Sequence, residues 1–186
     1  KMLVVILLGI FLAACSTTQA PTEQPPLATE EPPVVAEPTA VPEFTGFPLV
    51  ADRGELFSGS GICTSCHSGM QDEAGVDVSI DKSWSATMLA NASKDPYYLA
   101  TVRSEVDQAP EMSAVIEDKC SSCHMPMAFL TAQAKGEPTL MLDEGFNAAS
   151  HPYHGLARDS ISCNLCHQLE PDNFGTEESF SGGFAV

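Results

Sequence analysis

The sequence predicts a mainly α-helical domain with much irregular structure, and three observations carry that prediction. Apolar residues recur at three-and-four spacing in several short stretches, the mark of one helical face. Strand signals are poor, with Thr139 to Leu142 the only candidate. The segment is also thin in runs of Leu, Ile, Val and Phe, yet it repeats one pentapeptide three times: Cys63-Thr64-Ser65-Cys66-His67, Cys120-Ser121-Ser122-Cys123-His124 and Cys163-Asn164-Leu165-Cys166-His167. A chain of that kind needs core mass from outside the polypeptide.

In chain order, residues 1–14 read as an export signal. Lys1 is the only charge, Met2 to Leu12 form an apolar run too short to span a bilayer comfortably, and Leu12-Ala13-Ala14-Cys15 ends it. The closing tetrapeptide resembles the lipobox of bacterial lipoproteins, which implies that Cys15 is acylated and becomes the first mature residue. The other reading is ordinary cleavage after Ala14, which leaves Cys15 a free thiol. Residues 15–44 then form a tether. Pro21, Pro25, Pro26, Pro32, Pro33, Pro38 and Pro42 alternate with Thr, Ala and Glu, and no base is present. Such a composition buries too little apolar surface to fold and favours extended conformations.

The remaining 45–186 form the head. Trp84, Met88, Leu89 and Ala92 share one helical face. Asp95-Pro96 reads as an N-cap followed by Pro at the first helical position, starting a helix through Tyr97, Val102 and Val106. Met112, Val115, Ile116 and Lys119 repeat the spacing and lead into the second pentapeptide. Pro126 to Ala134 is predicted as a further short helix, stopped at Gly136.

The pentapeptide itself, Cys-x-x-Cys-His, is the attachment motif of c-type haem. Two thiols about one helical turn apart reach the two vinyl groups on one porphyrin edge and form thioethers, and the adjacent imidazole binds iron on the proximal side. Cys-x-x-Cys alone also serves zinc sites and redox disulfides. Neither use explains a His in the fifth place three times over, and disulfide frameworks commonly close longer loops. The chain has 7 Cys, and the motifs take six of them, Cys15 being the seventh. The expected cofactor is therefore haem c, three per chain, held by Cys63, Cys66, Cys120, Cys123, Cys163 and Cys166, with His67, His124 and His167 as proximal ligands. The haem cluster would act as the core. Lys1-Met2-Leu3 reads as the tail of a longer positive region, and the chain stops at an apolar segment, Phe180 to Val186. A piece of a longer protein is expected, with room for further haems beyond Val186.

Three low-spin irons need three distal ligands, and of 5 His only His151 and His154 lie outside the motifs. They stand at i and i+3, on one side of any helix they share, and are expected to serve different haems. Methionine is the candidate for the third, since a thioether is a soft ligand that raises the reduction potential. Outside the signal the choices are Met70, Met88, Met112, Met125, Met127 and Met141. Met88 leads because it shares a helical face with Trp84. Most of the others are expected to pack against porphyrin.

Trp84-Ser85-Ala86-Thr87-Met88, Ser93-Lys94-Asp95-Pro96-Tyr97-Tyr98, Cys123-His124-Met125-Pro126-Met127-Ala128 and Arg158-Asp159-Ser160-Ile161-Ser162 resemble segments of bacterial multihaem cytochromes c. The nearest broad group is that of cytochrome c554 and the octahaem hydroxylamine-oxidoreductase-like proteins. The resemblance covers about Phe57 to Phe180. It implies closely packed haems in a mostly helical scaffold used for electron transfer. It also implies export, because c-type attachment in bacteria occurs outside the cytoplasm.

Net charge is −17 over the chain. The head has 20 acids against 7 bases, a net of −13, which excludes nucleic acid as a partner. It suits a basic redox partner, other multihaem cytochromes included, and equally suits a solvated surface. Two functions follow from different classes. One is an extracytoplasmic electron carrier, anchored to a membrane through its lipid, and not an enzyme. The other is a piece of a multihaem oxidoreductase acting on a small nitrogen or sulfur compound at an open haem site, with Tyr153 and Arg158 near the third motif to handle protons. No motif carries Lys in place of its His, a variant seen in some related nitrite reductases.

Overall fold

The computed structural model describes residues 49–186, and the expected signal, Cys15 and the tether lie outside them. The chain divides into two units, Lys1–Glu43 and Phe44–Val186. Within the second, eight α-helices follow one another: α1 (Ser60–His67), α2 (Ile80–Ser85), α3 (Met88–Asn91), α4 (Pro96–Gln108), α5 (Ser113–His124), α6 (Pro126–Lys135), α7 (His154–Arg158) and α8 (Cys163–His167). Short 3-10 turns stand at Pro110–Met112 and Glu177–Ser179. About half of the described residues are helical and none forms a strand. Two isolated bridges, Arg53 with Ser58 and Gln71 with Asp77, are the only β pairing among them. The fold is mainly α. None of the helices described is long and apolar enough to cross a membrane.

Local chemistry accounts for the longer helices. The Asp95 carboxylate accepts from the Tyr97 amide at 2.9 Å, and Pro96 takes the first helical position, where its missing N–H costs nothing. Pro126 opens α6 in the same way, and Gly136, at φ 69°, closes it in the left-handed conformation. Helices α4, α5, α6 and α7 pack in sequence. The core they enclose holds Phe57, Val102, Met125, Met127, Phe129, Met141, Phe146, Leu156 and Leu165.

Two expectations needed correction. Trp84, Met88, Leu89 and Ala92 do not share a helix, because Thr87 interrupts it. Its backbone is extended, its hydroxyl donates to the Trp84 carbonyl at 2.7 Å, and the same oxygen accepts from the Ala90 amide at 3.3 Å. A side chain that satisfies backbone groups on both sides ends one helix and caps the next. The segment Thr139 to Leu142 is not a strand either. The amides of Met141 and Leu142 both donate to Oε2 of buried Glu117, at 2.8 Å each, and Thr139 donates to Asp118 at 2.6 Å. Carboxylates on α5 take the place of a neighbouring strand.

Backbone approach fixes where α1 starts. The Gly61 amide donates to the Val50 carbonyl at 2.7 Å and the Gly59 amide to Asp52 at 2.9 Å. A Cβ at Gly59 would lie 2.4 Å from the Val50 oxygen, so only glycine lets the two segments meet.

Candidate functional site

Each pentapeptide ends a helix. The first closes α1, the second closes α5, and the third is the whole of α8. A separation of three residues sets the two cysteines of each motif on one side of its helix. In every motif the first Cys is half-buried and the second exposed, and all six thiols are free. Burial pushes the Cys120 and Cys163 thiols above their ordinary pKa and so keeps them protonated at neutral pH.

The first and third motifs are drawn together by the residues between α7 and α8. Asp159 accepts from the Ser60 amide at 2.7 Å and from the Ser60 hydroxyl at 2.6 Å, at the start of α1. Asn164, inside the third motif, accepts from the Ser58 amide at 2.5 Å, and Gln168 donates to the Leu56 carbonyl at 3.0 Å. On the other side, Trp84 Nε1 donates to the Ile161 carbonyl at 3.1 Å, and the Ser93 and Ser160 hydroxyls meet at 2.6 Å. The result is one cavity of about 500 Å³ bounded by both motifs and walled by Ile80, Trp84, Leu89 and Ile161. Ile80 is 51% exposed and Leu89 52%, so apolar surface lines its mouth. Asp81 also borders the cavity, and its Oδ1 is buried without a hydrogen-bond partner.

The second motif has different surroundings. His124 Nδ1–H donates to the Ala92 carbonyl at 2.9 Å, which leaves Nε2 with the free lone pair. Its ring lies flat on Tyr98, with centroids 3.6 Å apart and planes 5° from parallel. Tyr98 O–H in turn donates to Met141 Sδ at 3.6 Å, and burial, reinforced by Cys120, pushes the phenol well above its ordinary pKa.

The two remaining histidines are not equivalent. His154 opens α7, and its Nδ1–H donates to the Phe146 carbonyl at 3.0 Å, so Nε2 is again the unprotonated nitrogen. His151 stands in the preceding turn, not on a shared helix. Its Nδ1 accepts from the Tyr153 amide at 3.2 Å, and its ring packs edge-on to Phe146 and Tyr153. Burial lowers its pKa and holds the imidazole neutral. Met125, Met127 and Met141 are fully buried among core side chains, whereas Met88 is 79% exposed on the short α3. Tyr153 donates to Glu137 at 2.7 Å, and Arg158 to the Ser93 carbonyl at 3.4 Å. Among the described residues no three of His, Cys, Asp and Glu converge on a common ion site.

Sequence reading missed Ser60, Asn164, Asp81 and the buried Glu117. No spacing or composition marks them: Ser60, Asn164 and Glu117 act through partners far away in the chain, and Asp81 is set apart only by the cavity it borders. Compared with known proteins, the chain matches no family model, no curated protein and no solved structure.

Proposed function

We propose that the chain is an extracytoplasmic electron-transfer protein holding three covalently bound c-type haems, a member of the bacterial multihaem cytochromes c. Haem c supplies one-electron iron chemistry when bound. Cys63 and Cys66, Cys120 and Cys123, and Cys163 and Cys166 would hold it through thioethers, with His67, His124 and His167 on the proximal side. The observation that carries the reading is the cavity shared by the first and third motifs. Three of their thiols (Cys63, Cys163 and Cys166) and two imidazoles (His67 and His167) line an apolar space whose volume lies within the roughly 300–1,000 Å³ of cofactor sites.

Three further features fit. The exposed Ile80 and Leu89 at the mouth are surface that a porphyrin would cover. Nδ1 of His124 is already committed to a carbonyl, the outer hydrogen bond that fixes the tautomer of a metal-binding imidazole. The partnerless Asp81 carboxylate oxygen is an acceptor suited to an imidazole N–H at the same cavity. A zinc site would instead need four donors gathered on one point.

Within this reading His154 is the first distal candidate, with Nε2 available. His151 would have to give up its bond to the Tyr153 amide and present a different nitrogen. Met88 is exposed on α3, beside Leu89 of the cavity wall, and does not itself line the cavity. Acylation of Cys15 would anchor the head by its tether, and the acidic surface would meet basic redox partners or other multihaem cytochromes.

The deciding experiment is haem counting on protein matured in a host that attaches c-type haem. Denaturing electrophoresis with haem-dependent peroxidase staining and intact mass should find three haems bound covalently. Haem that leaves in acidified solvent, or zinc in its place, overturns the reading. A high-spin haem that binds and reduces nitrite would turn the carrier into an enzyme.

A further inference from the structure

Away from the motifs, a second cavity of about 580 Å³ is lined by two arginines, a histidine, an asparagine and one carboxylate, Asp143. Arg103 reaches it from α4, His154 and Arg158 from the two ends of α7, and Asn147 from the loop before. This happens in a head with only 7 bases against 20 acids.

The two arginines differ. Arg103 forms a fork on Asp143, at 2.7 and 3.3 Å, so its charge is matched at the rim. Arg158 is half-buried, and among the described residues no carboxylate pairs with it. The carboxylate next to it in sequence, Asp159, is turned the other way onto Ser60. Its own bond is the long one to the Ser93 carbonyl, 3.4 Å. Burial pulls its pKa below the ordinary arginine value. A cation that has lost part of its hydration without gaining a partner is costly unless an anion compensates it. Asn147 Oδ1 is buried on the same wall without a partner, an acceptor that a water held between it and an anion would satisfy.

We propose that this cavity is an oxyanion site, in which the Arg158 guanidinium binds a carboxylate or another small oxyanion, with Arg103 at the rim. A guanidinium offers two parallel N–H groups to such a planar group. The oxyanion has two sources, a propionate of a haem carried by this chain or a free anion from solution, and only the first rests on the haem reading.

The test uses the matured protein and its Arg158→Gln and Arg158→Lys variants at low ionic strength. Isothermal titration with acetate and with sulfite reads the free anion. Redox titration across pH reads the propionate, and haem is counted separately. A free-anion site binds one equivalent in wild type and about tenfold or more weakly in Arg158→Gln, given the usual strength of charged hydrogen bonds. A propionate site leaves wild type silent to added anion. Arg158→Gln then lowers one haem potential and shifts its pH dependence upward, because a lost positive charge favours the ferric state and the protonated propionate. Arg158→Lys, which keeps charge but not the fork, should fall between, and it serves if the glutamine variant does not fold. Wild type that binds neither probe, together with variants whose potentials and pH dependence match wild type, overturns the site. If no haem is found, failure of acetate and sulfite to bind is enough to overturn it.

Discussion

The Asp159 carboxylate holds both the amide and the hydroxyl of Ser60, 99 residues away in sequence, in a pair that is almost wholly buried. It seats the start of the first motif's helix against the approach to the third. Two motifs at opposite ends of the head thereby come to face one cavity.

Asp159→Ala should be among the most damaging single changes in the head. It strands two buried donors of Ser60, and loss of a charged hydrogen bond of this kind costs about 2–3 kcal/mol. Ser60→Ala should cost less, and the double variant should be less destabilised than the sum, because both remove the same interaction. Denaturant unfolding of the four proteins measures this. Additive losses would show that Asp159 and Ser60 act separately.

Legibility in the sequence followed the range of the interactions. The cap of α4 and the closure of α6 were readable because Asp95-Pro96 and Gly136 act within one turn of themselves. The break at Thr87 was hidden by an apolar spacing that suited one longer helix, and a hydroxyl bonding both ways overrode it. The bridge from Glu117 to Met141 and Leu142 left no trace, since a buried carboxylate satisfying two amides looks like any surface acid in a string of letters. The motif residues were legible as types. Their convergence was not, because it depends on Asp159, Asn164 and Ser160, which carry no periodicity. Asp159 to Ser162 stood out only through the resemblance of their segment to other haem-motif approaches.

Stacking of Tyr98 on His124 fixes the plane of that imidazole. Tyr98→Leu should cost about 1 kcal/mol beyond lost contact area, the usual worth of an aromatic pair. In the haem-loaded protein it should also change the electron paramagnetic resonance g-values of one haem and leave the other two alone. A change spread over all three would mean a general loosening, and none at all would mean that the Ala92 carbonyl alone orients the ring.

Asp77 gives a pH dependence of known sign. Its hydrogen bond with Lys82, then bonds from Ser79, hold its carboxyl well below the usual 3.8. A depressed folded-state pKa contributes stability that is complete above the unfolded value and is lost as pH falls through the folded one. The 70–80 loop should therefore keep its amide protection below pH 3.8 and lose it only in stronger acid. Asp77→Asn should remove this acid-dependent step while the rest of the head is unchanged. Hydrogen exchange at the Ser79 amide, bonded to Asp77 at 2.9 Å, reports it directly.

Anchoring is tested at Cys15. The exported wild type should partition into detergent, and Cys15→Ser should release it or block its processing. Fully soluble wild type with an unmodified Cys15 would favour ordinary cleavage.

Coordination is the step that joins this geometry to electron transfer. A carrier needs six-coordinate, low-spin haems, and the chain offers few distal groups. His154 has its Nδ1–H tied to Phe146 and Nε2 free, the arrangement of an imidazole prepared to donate to a metal. His154→Ala should therefore turn one low-spin ferric signal high-spin and raise that potential, because an imidazole that stabilises ferric iron is gone. His151→Ala should have a smaller effect unless the ring breaks its bond to the Tyr153 amide on haem binding. Met88→Ala should remove a thioether-to-iron absorption if that side chain swings onto a haem. Paramagnetic resonance and absorption spectra of the three variants, before and after cyanide, separate these outcomes. If His154→Ala keeps the wild-type spectrum and gains no cyanide site, His154 is not a ligand, and its ordered ring serves the second cavity instead.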